Sequence, residues 1–86
     1  MLDIVLSRNA ARRYERVDKP TARRFDECLQ RVSVDPYGGD SRPLKGPLMG
    51  LWRSRVGDWR VIYRIDLADQ RVTIIDILPR GEAYRK

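Results

Sequence analysis

The sequence predicts an α+β fold of order β-α-α-β-β-β, in which a helical hairpin covers one face of an antiparallel sheet and leaves the other face free. Three observations predict this fold. An amphipathic stripe between residues 22 and 32 indicates a helix, two alternating stretches meet at Gly57-Asp58, and a run rich in β-branched residues follows from Arg71 to Ile77. The 86 residues suit one modest core, so we expect 1–86 to form a single domain.

The first predicted elements are a short strand at residues 2–6 and two helices. Ser7 is a suitable cap for a helix from about Arg8 to Val17. Lys19-Pro20 opens the second helix, because a proline in the first turn removes no helical hydrogen bond. The second helix carries an apolar stripe that we expect to dock on the sheet, formed by Ala22, Phe25, Leu29 and Val32.

A loop rich in proline and glycine separates the second helix from the sheet. Asp35-Pro36 ends the helix, since a residue before proline disfavours helical geometry, and the loop runs to about Gly50. Gly57-Asp58 fits a two-residue hairpin of type II′, because glycine occupies the first central position. A second turn at 66–70 leads into the third hairpin strand, residues 71–77.

Basic charge is concentrated on the predicted sheet. The chain has 18 Lys and Arg against 12 Asp and Glu, for a net charge of +6, and 15 of the 18 are arginine. Residues 42–64 contain six basic residues and one acid, Asp58. Arginine presents a planar fork that matches phosphate, so we expect the free face of the sheet to bind a nucleic acid or an acidic protein.

The composition excludes several kinds of site. With no histidine, the chain holds no Ser-His-Asp triad, no histidine-based ribonuclease pair and no histidine-containing zinc site. The lone Cys28 lies on the apolar stripe, which predicts a buried spacer in a reducing cytoplasm. The sequence shows no signal peptide, no apolar run of membrane-spanning length and no glycine-rich phosphate loop, so we expect neither a membrane partner nor a cofactor.

Three motifs resemble the RelE/ParE superfamily of bacterial toxins, and more closely its RelE-like mRNA interferase branch. They are Pro43-Leu44-Lys45-Gly46, the stretch from Leu51 to Tyr63, and Arg80-x-Glu-x-Tyr-Arg at 80–85. The resemblance implies a RelE-like microbial ribonuclease-type fold and a toxin of a type II toxin–antitoxin system. It further implies a ribosome-dependent, metal-independent endoribonuclease that cuts mRNA in the A site and thereby inhibits translation. A cognate antitoxin, RelB-like or other, would hold it inactive, and operator DNA would be reached only through that complex.

The resemblance also implies roles for individual residues. Arg60 matches the arginine at the scissile phosphate, Arg80 the one that stabilises the transition state and acts as acid, and Tyr84 the tyrosine that stacks on or orients a base. Further RNA contacts are expected from Arg42, Arg53, Arg55, Arg64 and Arg85.

The general base is left open by the same comparison. Arg53 and Arg55 stand where the best-studied members carry two lysines, one of them proposed as the base, and arginine stays protonated at ordinary pH. The base would then be Lys45, Glu82 or a water molecule. Pro79 stands where some relatives place a histidine acid, which leaves that role to Arg80.

Other interpretations stay open beside the ribonuclease, which we favour. A ParE-like poison of DNA gyrase would share the fold and the basic surface without nuclease chemistry, and a degenerate member would bind its antitoxin without activity. At the residue level, Arg60 would serve only structure if it paired with Asp58 or Asp76. We expect Trp59 and Tyr63 to belong to the core, because aromatic residues at strand spacing usually do.

Overall fold

A computed structural model describes residues 1–79, and it confirms the predicted α+β class with two helices packed on a sheet. The elements in chain order are β1 (Asp3–Leu6), α1 (Arg8–Arg16), α2 (Lys19–Val34), β2 (Arg42–Pro43), a 3₁₀ turn (Gly46–Leu48), β3 (Trp52–Val56), β4 (Trp59–Asp66) and β5 (Arg71–Pro79). Arg80, Glu82, Tyr84 and Arg85 lie outside the described residues.

Both helices begin where the sequence predicts. The Ser7 side chain accepts a hydrogen bond from the Ala10 amide at 3.1 Å, so it caps α1 as expected. Pro20 occupies the first turn of α2, where its missing N–H costs nothing. Within residues 1–79, no helix combines the length and the apolar character that crossing a membrane requires.

The sheet has the strand order β1-β5-β4-β3-β2 and is mixed, which corrects the wholly antiparallel prediction. The hairpin strands β3, β4 and β5 pair antiparallel as expected, but β1 pairs parallel with β5. A parallel pair requires a long crossover. Here the chain between β1 and β5 first forms the helical hairpin and then β2, β3 and β4, before β5 lies beside β1. The predicted loop also contributes the two-residue edge strand β2, paired with β3.

The turn between β3 and β4 has the predicted type II′ geometry. Gly57 has a φ of +60°. Asp58 has a negative φ, since Gln70 is the one non-glycine residue with positive φ among residues 1–79. A positive φ at the first central position alone is the mark of a type II′ turn. Val56 pairs with Trp59, so the loop has two residues. Strand β5 runs to Pro79, two residues beyond the prediction, because Pro79 still pairs with Trp59.

The core lies between the helices and one face of the sheet. Phe25 and Val32 of α2 are fully buried against Tyr63 and Ile74 of the sheet. The Trp59 ring meets the Phe25 ring edge-on with 5.6 Å between centroids, so the predicted core placement of Tyr63 and Trp59 is confirmed. Cys28 is also buried in this core, as the apolar stripe predicts.

Candidate functional site

The face of the sheet that points away from the helices, here called the outer face, carries most of the sheet arginines. Trp59, Val61 and Tyr63 of β4 pack against the helices. Successive side chains of a strand point to opposite faces, so the residues that alternate with them lie on the outer face. These residues are Arg60, Ile62 and Arg64.

Cross-strand pairing brings arginines side by side on the outer face. Arg42 of β2 pairs with Arg53 of β3, and Arg55 of β3 pairs with Arg60 of β4. Like charges directly opposite each other destabilise a sheet. The pairing therefore concentrates positive charge that an anionic ligand would compensate.

Arg60 is the most deeply placed of these arginines. It is 8% exposed, and one terminal nitrogen donates to the Trp59 carbonyl at 3.3 Å. Its Nε has no hydrogen-bond partner within residues 1–79. A buried guanidinium without an anionic partner is costly. No carboxylate of residues 1–79 lies within 4 Å of it, so pairing with Asp58 or Asp76 is not observed.

The outer face is not free throughout, which corrects the sequence-based expectation. Ile62 is 4% exposed and Leu44 is 8% exposed, and neither belongs to the core cluster under the helices. Arg55 and Arg64 are exposed beside them. The arginines thus lie around a buried apolar patch formed by Leu44 and Ile62, so the outer face is not fully exposed to solvent.

Asp40 clamps β3 to the loop before β2. Its carboxylate accepts hydrogen bonds from the Ser54 hydroxyl at 2.9 Å and from the Arg55 amide at 3.1 Å. Arg31 of α2 lies 3.6 Å from the same carboxylate and donates to Ser54 at 2.5 Å. The Asp40 carbonyl also accepts from the Arg53 guanidinium at 3.3 Å. Asp40 therefore fixes the backbone at Arg55 and the guanidinium of Arg53, two of the predicted RNA-binding residues.

Cys28 lies behind this clamp as a protonated thiol. Burial raises the pKa of the Cys28 thiol, and the Ser54 hydroxyl and the Arg31 charge oppose that rise only in part. A thiol with a raised pKa is a poor nucleophile, so Cys28 serves as a packing residue. Across residues 1–79, no three His, Cys, Asp or Glu side chains cluster as a metal site would require.

The structure does not bring Lys45 beside Arg60. Lys45 is exposed and precedes the 3₁₀ turn, next to the Leu44 amide that donates to the Leu51 carbonyl. Arg60 is the cross-strand neighbour of Arg55. Arg55 lies four residues after Leu51, which is a distance of about 13 Å at the rise of a strand. Lys45 and Arg60 thus lie near opposite ends of β3.

Arg42 and Arg64 are exposed at its margins. Arg42 donates to its neighbouring Ser41 carbonyl at 3.0 Å, and Arg64 pairs across strands with Thr73. Arg42 lies opposite Arg53, and Arg64 lies four residues along β4 from Arg60. Neither forms an ion pair with a carboxylate in the described part of the chain. They are placed to widen the basic surface.

Sequence reasoning missed the clamp and the role of Ser54. The available signal is the alternation of β3, in which Ser54 stands between Trp52 and Val56 on the core-facing side. A hydroxyl at a core position must find a hydrogen-bond partner. That requirement predicts a polar partner, but no sequence pattern identifies Asp40 and Arg31.

A family model covers almost the whole chain. Residues 4–84 match the family described as the ParE toxin of the type II toxin–antitoxin system parDE. Toxin RelE from Mycobacterium tuberculosis is 33% identical over 82 residues, covering 95% of this chain and 84% of that relative.

Solved structures share the fold of this chain. The archaeal RelE in its complex with RelB from Pyrococcus horikoshii superposes with a TM-score of 0.80 at 28% identity, covering 93% of this chain and 96% of that one. The YoeB/ParE toxin from Agrobacterium tumefaciens has a TM-score of 0.83 at 24% identity, covering 92% and 99%. This second likeness concerns the fold alone.

These similarities define a class, the small toxins of bacterial and archaeal toxin–antitoxin pairs. The chain belongs to the RelE/ParE superfamily of type II toxin–antitoxin toxins.

Proposed function

We propose that this toxin is a ribosome-dependent, metal-independent endoribonuclease that inhibits translation by cutting mRNA in the ribosomal A site. Arg60 is the observation that carries the proposal. Its side chain is buried beside Arg55, and its Nε has no hydrogen-bond partner among residues 1–79. A phosphate is the ligand that would satisfy both its charge and its hydrogen-bonding capacity.

The chemistry needs in-line geometry, charge stabilisation at phosphorus and two proton transfers. Arg60 would donate to a non-bridging oxygen of the scissile phosphate, with Arg55 beside it. One well-placed donor of this kind contributes about 3–4 kcal/mol to the transition state. The ribosome would supply the in-line geometry by bending the mRNA.

The proton transfers would involve Arg80 and Tyr84, which lie outside the described residues. Arg80 would stabilise the transition state and protonate the leaving oxygen, and Tyr84 would orient a base. The base remains open between Lys45, Glu82 and a water molecule, because Arg53 and Arg55 do not lose their protons.

An antitoxin would neutralise the outer face. The similar archaeal protein was solved as a RelE-RelB complex, which supports a RelB-like partner for this chain in the cytoplasm. Acidic side chains would meet Arg55 and Arg60, and apolar ones would pack near Ile62. We further propose that residues 1–86 act as one toxin domain and reach operator DNA only through the antitoxin complex.

A second candidate is a ParE-like gyrase poison, which the match to the ParE toxin family favours. Such a toxin would bind a protein and perform no nuclease chemistry. A catalytically degenerate toxin is the third possibility, supported by the arginines at the two lysine positions.

Primer extension on mRNA in a purified translation system tests the proposal. Wild type, Arg60→Ala and the matched control Arg71→Ala would be added with and without ribosomes. Arg71 is an exposed arginine at the start of β5, where it is the cross-strand neighbour of Asp66. It lies seven residues along β5 from Leu78, the cross-strand neighbour of Arg60. We expect a ribosome-dependent cut that falls roughly 100-fold in Arg60→Ala and stays within about 3-fold in Arg71→Ala.

A cut that survives Arg60→Ala would overturn the assigned role of this residue. Absence of any cut, together with inhibition of gyrase supercoiling, would identify the second candidate. Circular dichroism of Arg60→Ala separates loss of chemistry from loss of fold.

A further inference from the structure

The helices carry a second concentration of basic charge that the outer face does not account for. Residues 8–24 contain seven Lys and Arg and two acids, a balance of +5 that equals the balance of residues 42–64. The helices cover the opposite side of the sheet from Arg60. The protein is therefore basic on two sides.

Part of this charge lines a groove of about 690 Å³ between α1, the start of α2 and the end of the sheet. Hydrogen-bond donors dominate its walls. They come from Asn9, Arg12, Arg13, Arg16 and Thr21, and Trp59 contributes its ring. Two carboxylates, Asp18 and Asp76, also line the groove.

The groove arginines form no ion pair with any other side chain of residues 1–79. None of the three has a carboxylate within 4 Å in the described part of the chain. Arg12 and Arg16 are four residues apart on one helix, so their like charges destabilise α1. Arg13 lies 5.8 Å from the centroid of the Trp59 ring, which holds its guanidinium at the groove wall. The groove thus holds three arginines against two carboxylates, and none of these arginines forms an ion pair among residues 1–79.

The adjoining edge of β5 is poorly suited to bind an extended peptide. Strand β1 pairs only as far as Ile74, and beyond it the Ile77 amide donates to the Asp76 carboxylate at 2.8 Å. The Ile75 carbonyl already accepts from the Ser7 hydroxyl, and Pro79 has no N–H. An added strand would find few backbone partners, whereas side-chain donors suffice for phosphates.

We propose that this groove binds the phosphodiester backbone of a folded nucleic acid, separate from the strand at Arg60. Arg12 and Arg16 contact phosphates, Asn9 and Thr21 donate further hydrogen bonds, and Arg13 is held in place by Trp59. This site does not depend on the proposed cleavage, because it lies on the helical side of the molecule. Double-stranded RNA and DNA share the recognised chemistry.

The test measures binding of full-length protein to an RNA hairpin and to a DNA duplex of matching sequence, by fluorescence anisotropy from 50 to 200 mM salt. All proteins carry Arg60→Ala so that no cleavage interferes. The groove variant is Arg12→Gln/Arg16→Gln. The matched control is Arg8→Gln/Arg23→Gln, which removes the same charge from exposed helical positions outside the groove.

We expect the groove variant to weaken binding of at least one duplex by about 10-fold or more and to reduce the log–log salt slope by about 2, one per lost phosphate contact. The control should change the affinity by less than about 3-fold. If the groove variant loses more affinity for the RNA hairpin than for the DNA duplex, the groove binds RNA, and the reverse result means that it binds DNA.

Equal losses in the groove variant and the control would overturn the proposal, because net charge alone would explain them. Binding of the groove variant to poly-glutamate is measured in the same way. If this variant keeps its nucleic-acid affinity and loses its affinity for poly-glutamate, the proposal is overturned in favour of an acidic protein partner. Matching circular dichroism spectra and unfolding temperatures establish that both variants are folded. The cleavage assay with Arg60 intact gives a separate result, so either proposal can fail alone.

Discussion

The Tyr63 hydroxyl connects the sheet to the loop that leads into the basic surface. Tyr63 is fully buried, and its hydroxyl donates to the Pro36 carbonyl at 2.6 Å. The Ser41 hydroxyl lies 2.7 Å away and completes the network. Ser41 is buried as well, so each of these polar groups depends on the others for a partner.

Tyr63→Phe should therefore lower the free energy of unfolding by about 1–3 kcal/mol at pH 7.5, because the Pro36 carbonyl stays buried without its donor. Burial also raises the pKa of Tyr63 above its ordinary 10.0. The unfolded chain then loses this proton first, so wild-type stability falls as the pH rises past about 10. We expect a shallower fall in Tyr63→Phe, measured by urea unfolding between pH 9.5 and 11.

Tyr37→Phe is the matched control, since the Tyr37 side chain is 47% exposed and its hydroxyl has no partner within residues 1–79. It should change the stability at pH 7.5 by less than about 0.5 kcal/mol. The raised pKa of Cys28 acts in the same direction in all three proteins and cancels in the comparison. Identical alkaline slopes for wild type and Tyr63→Phe would contradict the account.

Individual site residues were predictable to different depths. Strand alternation and the hairpin turn together place Arg53, Arg55 and Arg60 on one face, because register follows from a two-residue loop. The burial of Arg60 and the clamp at Asp40 were not predictable. Both depend on contacts between residues far apart in the chain, and no local pattern encodes them.

Among the elements, the β3–β4 hairpin depends on one backbone conformation. Gly57 has φ of +60°, which costs other L-residues roughly 1–2 kcal/mol. A Cβ there would also lie 2.8 Å from a guanidinium nitrogen of Arg24, a flexible side chain that can move away. Backbone strain should therefore dominate the effect of substitution.

Gly57→Ala is expected to lower the free energy of unfolding by about 1–2 kcal/mol in urea titrations. Asp58→Ala, at the next position without positive φ, should stay within about 0.5 kcal/mol. Equal effects at the two positions would show that the turn does not require the left-handed conformation.

Elements that arise from local signals were predicted, and those that arise from long-range pairing were not. The Ser7 cap, the first-turn Pro20 and the Gly57 turn each act within a few residues. The parallel pairing of β1 with β5 joins the two most distant strands, and the β1 sequence suits either direction. The short β2 contains a proline, which sequence patterns assign to a loop.

At the scale of the whole molecule, repulsion outweighs attraction among the charges. The chain carries +6, and residues 1–79 contain a single ion pair, Arg31 with Asp40. Both side chains of this pair are partly exposed, at 39% and 46%, so it stabilises the fold only slightly. The arginines of the outer face and the helical groove have no ion pair within residues 1–79, so their repulsion raises the free energy of the folded state until an anion binds.

Moderate salt should therefore stabilise this protein. Screening weakens the repulsion among the arginines of the folded protein, and residues 1–79 offer little ion pairing for it to remove. We expect the Tm to rise by about 2–5 °C between 50 and 300 mM NaCl, since 1 kcal/mol corresponds to about 4–8 °C in a domain of this size. The Arg12→Gln/Arg16→Gln protein, which starts with less repulsion, should show a smaller rise, whereas a Tm that falls with salt would mean that attractive pairs dominate. Sodium sulfate at matched ionic strength should raise the Tm further than sodium chloride does. Sulfate screens the repulsion between the arginines and can also bind at sites that fit a phosphate.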